Sequence, residues 1–206
     1  MRELEITFKN SLEGFEISTV KTKDGNYSRI IVPNYYPDMQ IGFPELPVMT
    51  KLIEVPLDAE FEINIISYDE QVVDLYEYGF NLPIVPNQAS LFKNQSIDEV
   101  PFEKNNSIYR DKEFYATQPV DVRLVSKMRG VQVAQITVNP FSYDIESNTL
   151  TIKNNIVAEI TYKNVDLQKS AQLKADKYSP AFVTSYKSLW NYKAPATKDA
   201  ISQYPI

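Results

Sequence analysis

Hydrophobic and polar residues alternate along most of this chain, and this alternation predicts β-strands. It is clear in residues 60–75, where Phe61, Ile63 and Ile65 share one face and polar residues share the other. Strands are predicted at residues 4–8, 14–20, 27–33, 41–56, 60–75, 120–130, 131–144 and 149–162. Short connections, such as the predicted hairpin turn at residues 144–150, are typical of antiparallel sheets. We therefore predict an all-β fold, an antiparallel β-sandwich of jelly-roll type.

Two stretches interrupt the strand pattern. Residues 79–106 contain Pro83, Pro86 and Pro101 and no strong period, so we predict a long irregular loop in the centre of the chain. Loops of that length in a compact domain are usually functional or mobile. Residues 163–177 have the Lys, Gln and Asp content of a linker or of a solvated helix, and both alternatives stay open.

A short C-terminal helix is predicted for residues 179–192. Ser179 suits the cap and Pro180 suits the first helical position. Apolar residues then recur with helical spacing and form one stripe: Phe182, Tyr186, Leu189 and Trp190.

The charge of the chain argues against two classes of partner. The formal net charge is −6, and the sequence has no clustered run of Lys and Arg of the kind that a phosphate-binding surface needs. Nucleic acid and anionic membrane are therefore not predicted as partners. The opening residues 1–5 are charged and lack the apolar core of a signal peptide, which fits either a cytosolic protein or one whose signal has been removed.

The residue types that most enzymes use for catalysis are missing. The chain has no His and no Cys, which excludes a Ser-His-Asp triad, a Cys-His pair and disulfides. A Ser-Lys or two-carboxylate mechanism stays formally open, but the pairs at residues 69–70 and 98–99 are sequence neighbours, whose side chains diverge on a strand. The five glycines are scattered and no EF-hand spacing occurs, so we predict no cofactor and no metal site.

Several short motifs, in a fixed order, carry a resemblance to a known family. They are Gly42, Pro44, Leu46 and Pro47; Met128, Arg129 and Gly130; Asn139 and Pro140; Tyr143 and Asp144; and Asn154 and Asn155. In this order they resemble the propeptides of the gingipain-type cysteine peptidases, which are caspase-like enzymes with Lys or Arg specificity. The similarity runs from about residue 15 to residue 192, and it is greatest to the propeptide of the Lys-specific member.

The resemblance implies a role for one basic loop, about residues 94–118. Propeptides of this family keep the enzyme latent by laying a loop across its active-site cleft, with a basic side chain in the specificity pocket. The corresponding pattern here implies that Lys112 is the pocket residue, with Arg110 as the alternative. The implied flanking contacts are Tyr109, Asp111, Glu113 and Phe114. Without the resemblance, Arg110 and Lys112 are ordinary solvated charges beside two acidic residues.

The resemblance also implies a partner and a location. The partner is the caspase-like catalytic domain of the same precursor, which the propeptide silences and helps to fold; the propeptide itself is not an enzyme. The implied location is secreted, periplasmic or outer-membrane-associated in a Gram-negative bacterium. The implied division is a β-sandwich propeptide domain, residues 1–178, followed by the C-terminal helix and a linker towards the catalytic domain, residues 179–206. The alternative is a stand-alone secreted β-sandwich that binds carbohydrate or protein in adhesion.

Overall fold

Most of the chain folds into antiparallel strands. The structure, a computed structural model, describes residues 4–196, so the predicted linker beyond residue 196 lies outside the described residues. The strands within this range are β1 (Leu4–Asn10), β2 (Glu16–Thr22), β3 (Gly25–Ile31), β4 (Tyr36–Pro37), β5 (Pro47–Val55), β6 (Glu60–Asp74), β7 (Val120–Met128), β8 (Val131–Val138), β9 (Phe141–Asp144) and β10 (Thr149–Lys163). The run predicted at residues 131–144 is divided into β8 and β9 by Pro140, which has no N–H to donate to a ladder.

The strands within residues 4–196 form three sheets; the smallest is the antiparallel pair β2-β3, and the two larger sheets pack face to face. One has the order β1-β10-β6, with β9 paired to the first part of β10, and the other has the order β4-β5-β8-β7. Side chains from both inner faces form the main core, among them Ile53, Ala134, Ile136, Ile156 and Ile160, all inaccessible to solvent. Each of these isoleucines contributes about 1.5–3 kcal/mol by leaving water. The predicted antiparallel β-sandwich is confirmed.

The paired asparagines of the sequence motif form a bulge in the middle of β10. Strand β10 pairs with β9 over residues 149–152 and with β1 over residues 156–162, and its register shifts between these stretches. At the shift Asn155 has a φ of 50°, a left-handed conformation that Asn tolerates better than most residues. The Asn154 side chain bonds the backbone N–H and C=O of Leu12, at 2.7 and 3.0 Å. One edge of β10 thereby pairs with two strands in succession, β9 and then β1, while β6 pairs along the other edge.

The predicted central loop is irregular but is not confined to the surface. Residues 79–105 form no helix or strand, yet Ile84 and Val85 are buried, and Ile84 belongs to a second core beneath β9 and the start of β10. Val85 N–H donates to Ser28 O at 2.8 Å, which fastens the segment to β3. The pair is flanked by Pro83 and Pro86 and is too short to show a hydrophobic period, so the sequence pattern did not predict its burial.

The polar stretch after β10 is a helix, which decides between the two alternatives left open. Helix α1 covers Leu167–Lys177, and Asp166 caps it by accepting from Lys169 N–H at 2.8 Å. Its Lys174 is only 8% exposed and reaches both carboxylate oxygens of Glu54 at 2.6 Å. This buried ion pair and the Leu57 N–H, which donates to Ser170 Oγ at 2.9 Å, are polar contacts that join the helix to the sandwich.

The C-terminal helix is shorter than predicted. A 3-10 turn, Pro180–Phe182, precedes helix α2, Val183–Lys187, and Ser179 stands at the cap position without a side-chain hydrogen bond. Tyr186 and Leu189 are buried against β8, so these members of the predicted stripe do face the sandwich. No helix in residues 4–196 is long and apolar enough to cross a membrane.

The helix ends early because the chain then covers the free edge of β5. Trp190 N–H donates to Leu52 O at 2.8 Å. The Asn191 side chain bonds both backbone groups of Glu54, the N–H at 2.7 Å and the C=O at 2.8 Å, as a neighbouring strand would. This arrangement satisfies polar groups at an edge that would otherwise be open to pairing with another chain.

Gly130 offers a test of how closely helix α1 packs on the β7–β8 turn. Both Gly130 and Gly79 have a φ of 82°, but a Cβ at Gly130 would lie 2.5 Å from Leu173 O, whereas one at Gly79 would meet nothing within 4 Å. We expect Gly79→Ala to cost about 1–2 kcal/mol of unfolding free energy, from its left-handed backbone alone. Gly130→Ala should cost about 1–3 kcal/mol more, from overpacking. Chemical denaturation of both variants measures the difference, and equal losses would contradict the close packing.

Candidate functional site: a clamped basic turn

A single helical turn leads into the predicted loop site. A short helical turn, Asn106–Tyr109, lies between the central loop and β7. Asn105 caps it, and its side chain accepts from Ile108 N–H at 3.3 Å. Ile108 is buried in the second core and anchors the turn. The five residues that follow, 110–114, are all exposed.

Lys112 lies at the apex of this exposed stretch, where the chain reverses. Its φ is 59°, in the left-handed region that few residues other than Gly and Asn adopt. The reversal is closed by Glu113 N–H, which donates to Ser107 O at 2.8 Å, and by Asp111 N–H, which donates to Asn106 O at 2.9 Å. We name residues 105–115 the basic turn. It is a hydrogen-bonded structure rather than an open loop.

The two candidate basic side chains of the basic turn differ in how they are paired. The Arg110 guanidinium binds both carboxylate oxygens of Asp111, at 2.7 and 3.1 Å, and this hydrogen bonding lowers the pKa of Asp111. The Lys112 side chain is 55% exposed, and its ammonium lies 4.0 Å from a carboxylate oxygen of Glu146. An exposed contact of that length is weak. Lys112 is therefore available to a partner, whereas Arg110 already holds a neighbour.

The N-terminal end of the basic turn is hydrogen-bonded to the central loop and to the segment before β5. Tyr109 is half-buried, and its hydroxyl donates to Ile84 O at 2.7 Å. Asn105 N–H donates to Gly42 O at 2.9 Å. A Cβ on Gly42 would lie 3.1 Å from Asn105 N, so this close approach uses a glycine of the sequence motif. Of the predicted flanking contacts, Tyr109 lies inward, and Phe114 lies outward in solvent.

The C-terminal end of the basic turn is Tyr115, which is buried. Its backbone N–H donates to Tyr143 O at 2.9 Å, and its backbone C=O accepts from Tyr143 N–H at 2.8 Å. Its hydroxyl donates to Asp38 Oδ2 at 2.9 Å and lies 3.1 Å from Gln40 Oε1. Burial and the Asp38 carboxylate both raise the pKa of Tyr115, so the hydroxyl stays a donor.

The Asp38 carboxylate is the acceptor that holds this C-terminal end of the basic turn. The Asn87 side-chain amide donates to its other carboxylate oxygen, so the carboxylate joins the segment before β5, the central loop and the basic turn. Burial raises the pKa of Asp38, and the hydrogen bonds from Tyr115 and Asn87 oppose that rise. Sequence inspection missed these residues, because Asp38 is 49 positions from Asn87 and 77 from Tyr115.

The arrangement suits binding rather than bond-breaking chemistry. The chain has no His and no Cys, and residues 4–196 hold no group of three or more acidic side chains placed to bind a metal ion. The site presents one exposed ammonium, that of Lys112, on a turn whose two ends are hydrogen-bonded to the rest of the fold. An exposed ammonium can donate charge-assisted hydrogen bonds to carboxylate and carbonyl oxygens.

Comparison with known proteins identifies the family. The Propeptide_C25 family model matches residues 3–187. Among curated proteins, Lys-gingipain HG66 and Lys-gingipain W83, both of Porphyromonas gingivalis, are 35% identical to this chain over 181 residues, or 88% of it. The matched region is 10% of each relative, so the chain spans about a tenth of the length of the curated relatives it matches.

Two solved structures share the fold. One, on the zymogenic latency of gingipain K from Porphyromonas gingivalis, matches with a TM-score of 0.69 and 33% identity, over 77% of this chain and 86% of that chain. The other, a complex of the pro- and mature domains of RgpB from Porphyromonas gingivalis, matches with a TM-score of 0.67 over 92% of both chains; at 17% identity it shows the fold alone. The resemblance drawn from the motifs is confirmed: the chain belongs to the Propeptide_C25 family, the propeptides of the gingipain-type cysteine peptidases.

Proposed function

We propose that this chain keeps a cysteine peptidase domain of the same precursor latent by placing Lys112 in the specificity pocket of that domain. The observation that carries the proposal is the position of Lys112 at the exposed apex of the basic turn, with only a 4.0 Å contact to Glu146. Assistance in folding the peptidase, and a secreted, periplasmic or outer-membrane location in a Gram-negative bacterium, are proposed with it. Membership of the family is what supports both.

The two ends of the basic turn are held in place before binding, and this favours tight inhibition. Ordering a flexible loop on binding costs about 0.5–1.5 kcal/mol for each immobilised side chain. Here Tyr115 and Ile108 are already buried, so the backbone of the turn is held before binding, and the remaining cost is confined to the exposed side chains of residues 110–114. Attachment to the peptidase in one precursor would raise the effective concentration to about millimolar for a short linker, so a modest intrinsic affinity suffices.

The backbone at Lys112 favours an inhibitor over a substrate. Extended peptides bind clefts by strand-like pairing of their main chain. A φ of 59° at Lys112 interrupts such an extended strand at the residue that enters the pocket. The peptide bond after Lys112 is then not presented as it is in an extended substrate, and the turn resists cleavage.

Removal of the Lys112 ammonium tests the pocket contact. We expect Lys112→Ala to weaken inhibition of the separately produced peptidase domain by about 2–4 kcal/mol, the range for a truncated charged anchor at an interface. That corresponds to a rise of roughly 30- to 1,000-fold in the inhibition constant. Lys112→Asn should weaken inhibition equally, since Asn keeps the left-handed backbone and lacks the charge.

Lys93→Ala is the matched control, since Lys93 is an exposed lysine of the central loop. It should inhibit as the parent chain does. Thermal melts of all three variants should coincide within a few degrees, because the substituted side chains are exposed. Unchanged inhibition by a folded Lys112→Asn would mean that the Lys112 ammonium does not enter the pocket, and Arg110 would be tested next.

Replacement of Lys112 by arginine tests the chemistry of the pocket. A compact ammonium and a planar guanidinium need differently placed acceptors. If the partner is Lys-specific, Lys112→Arg should weaken inhibition, and if it is Arg-specific, inhibition should strengthen. The same peptidase is assayed with matched Lys and Arg peptide substrates. A change in inhibition that runs opposite to the substrate preference would contradict the proposal.

A further inference from the structure

An exposed apolar strip lies beside the basic turn. Tyr36, Met39 and Ile41 are 68%, 82% and 49% exposed, and we name these three residues the Met39 strip. Exposed apolar side chains that are grouped on one segment of a soluble protein commonly mark an interaction surface. The one charged residue within its span, residues 36–41, is Asp38, and the Asp38 carboxylate is engaged by Tyr115 and Asn87.

The Met39 strip is held in place rather than loosely exposed. Tyr36 belongs to β4, which pairs with the start of β5. Between Tyr36 and Met39, the inward-facing Asp38 accepts the hydroxyl of Tyr115 at 2.9 Å. After Ile41, Gly42 O accepts from Asn105 N–H at 2.9 Å. Hydrogen bonds on both sides of Met39 thus connect the strip to the two ends of the basic turn.

We propose that the Met39 strip is a second docking surface for the peptidase domain, and that it packs on an apolar rim of the cleft while Lys112 occupies the pocket. The proposal rests on the proposed function of Lys112. Hydrogen bonds join the strip to both ends of the basic turn, so a partner that covers Lys112 comes within reach of the strip. A second copy of this chain is disfavoured as the occupant, since each copy has a formal net charge of −6.

The double variant Met39→Ser and Ile41→Ser tests the Met39 strip. Titration calorimetry with the separately produced peptidase domain should show binding weaker by about 10- to 100-fold, the loss expected when buried apolar contacts are removed. Leu124→Ser is the control, because Leu124 is a similarly exposed aliphatic residue on β7, where its backbone pairs with that of Ala134. Its binding should stay within about twofold of the parent chain.

Lys112→Ala, titrated in parallel, separates this inference from the proposed function. If Lys112→Ala weakens binding and the double variant does not, the strip proposal is overturned and the pocket role stands. If the double variant weakens binding and Lys112→Ala does not, the strip is supported and the pocket role fails. If the double variant and Leu124→Ser weaken binding equally, the strip has no special role and the proposal is overturned.

Analytical ultracentrifugation of the isolated chain examines the other occupant. The proposal predicts a monomer for the parent chain and for the double variant. A parent dimer that the double variant abolishes would assign the strip to a second copy and overturn the proposal.

Discussion

Tyr115 is the residue on which the geometry of the basic turn depends. Its backbone pairs with β9, and its hydroxyl ends on the buried carboxylate of Asp38. Its ring lies 5.2 Å from that of Phe43, so the segment before β5 packs against it as well. Since a buried carboxylate is costly unless it is hydrogen-bonded, Tyr115 and Asn87 stabilise Asp38 while Asp38 holds them. This mutual requirement lets five exposed residues keep one conformation.

The sandwich supports that turn through two cores with separate tasks. The main core joins the two sheets, whereas the second core lies beneath the central loop, β9 and the basic turn. The bulge at Asn155 connects them, because it lets β10 leave β9 and continue beside β1. Short-range recognition on a turn, carried by rigid strands, is the usual division of work between loops and scaffolds. In this account Lys112 recognises the peptidase, and the sandwich limits the conformations that Lys112 can sample.

Alternation predicted the strands well, because a sheet with one buried face repeats every two residues. It failed where burial did not follow a period. Helix α1 was left open as a linker or a helix because its buried residue is Lys174, a charged side chain paired with distant Glu54. The C-terminal helix was predicted too long because Trp190 follows a helical stripe but instead bonds the edge of β5. The role of the basic turn was expected only from the family resemblance at Tyr109, Lys112 and Phe114. Its left-handed backbone and its contact with Asp38 depend on residues far apart in the sequence, which no local pattern reveals.

The central claim is that Lys112 and a substrate side chain compete for one pocket. Equilibrium competition between this chain and a small lysine-derived inhibitor of the peptidase domain tests that claim most directly. The account predicts mutually exclusive binding, in which saturating inhibitor displaces the parent chain and the apparent affinity of the chain falls in proportion to inhibitor concentration. Simultaneous binding, with the affinity of the chain unaffected by a filled pocket, would contradict it.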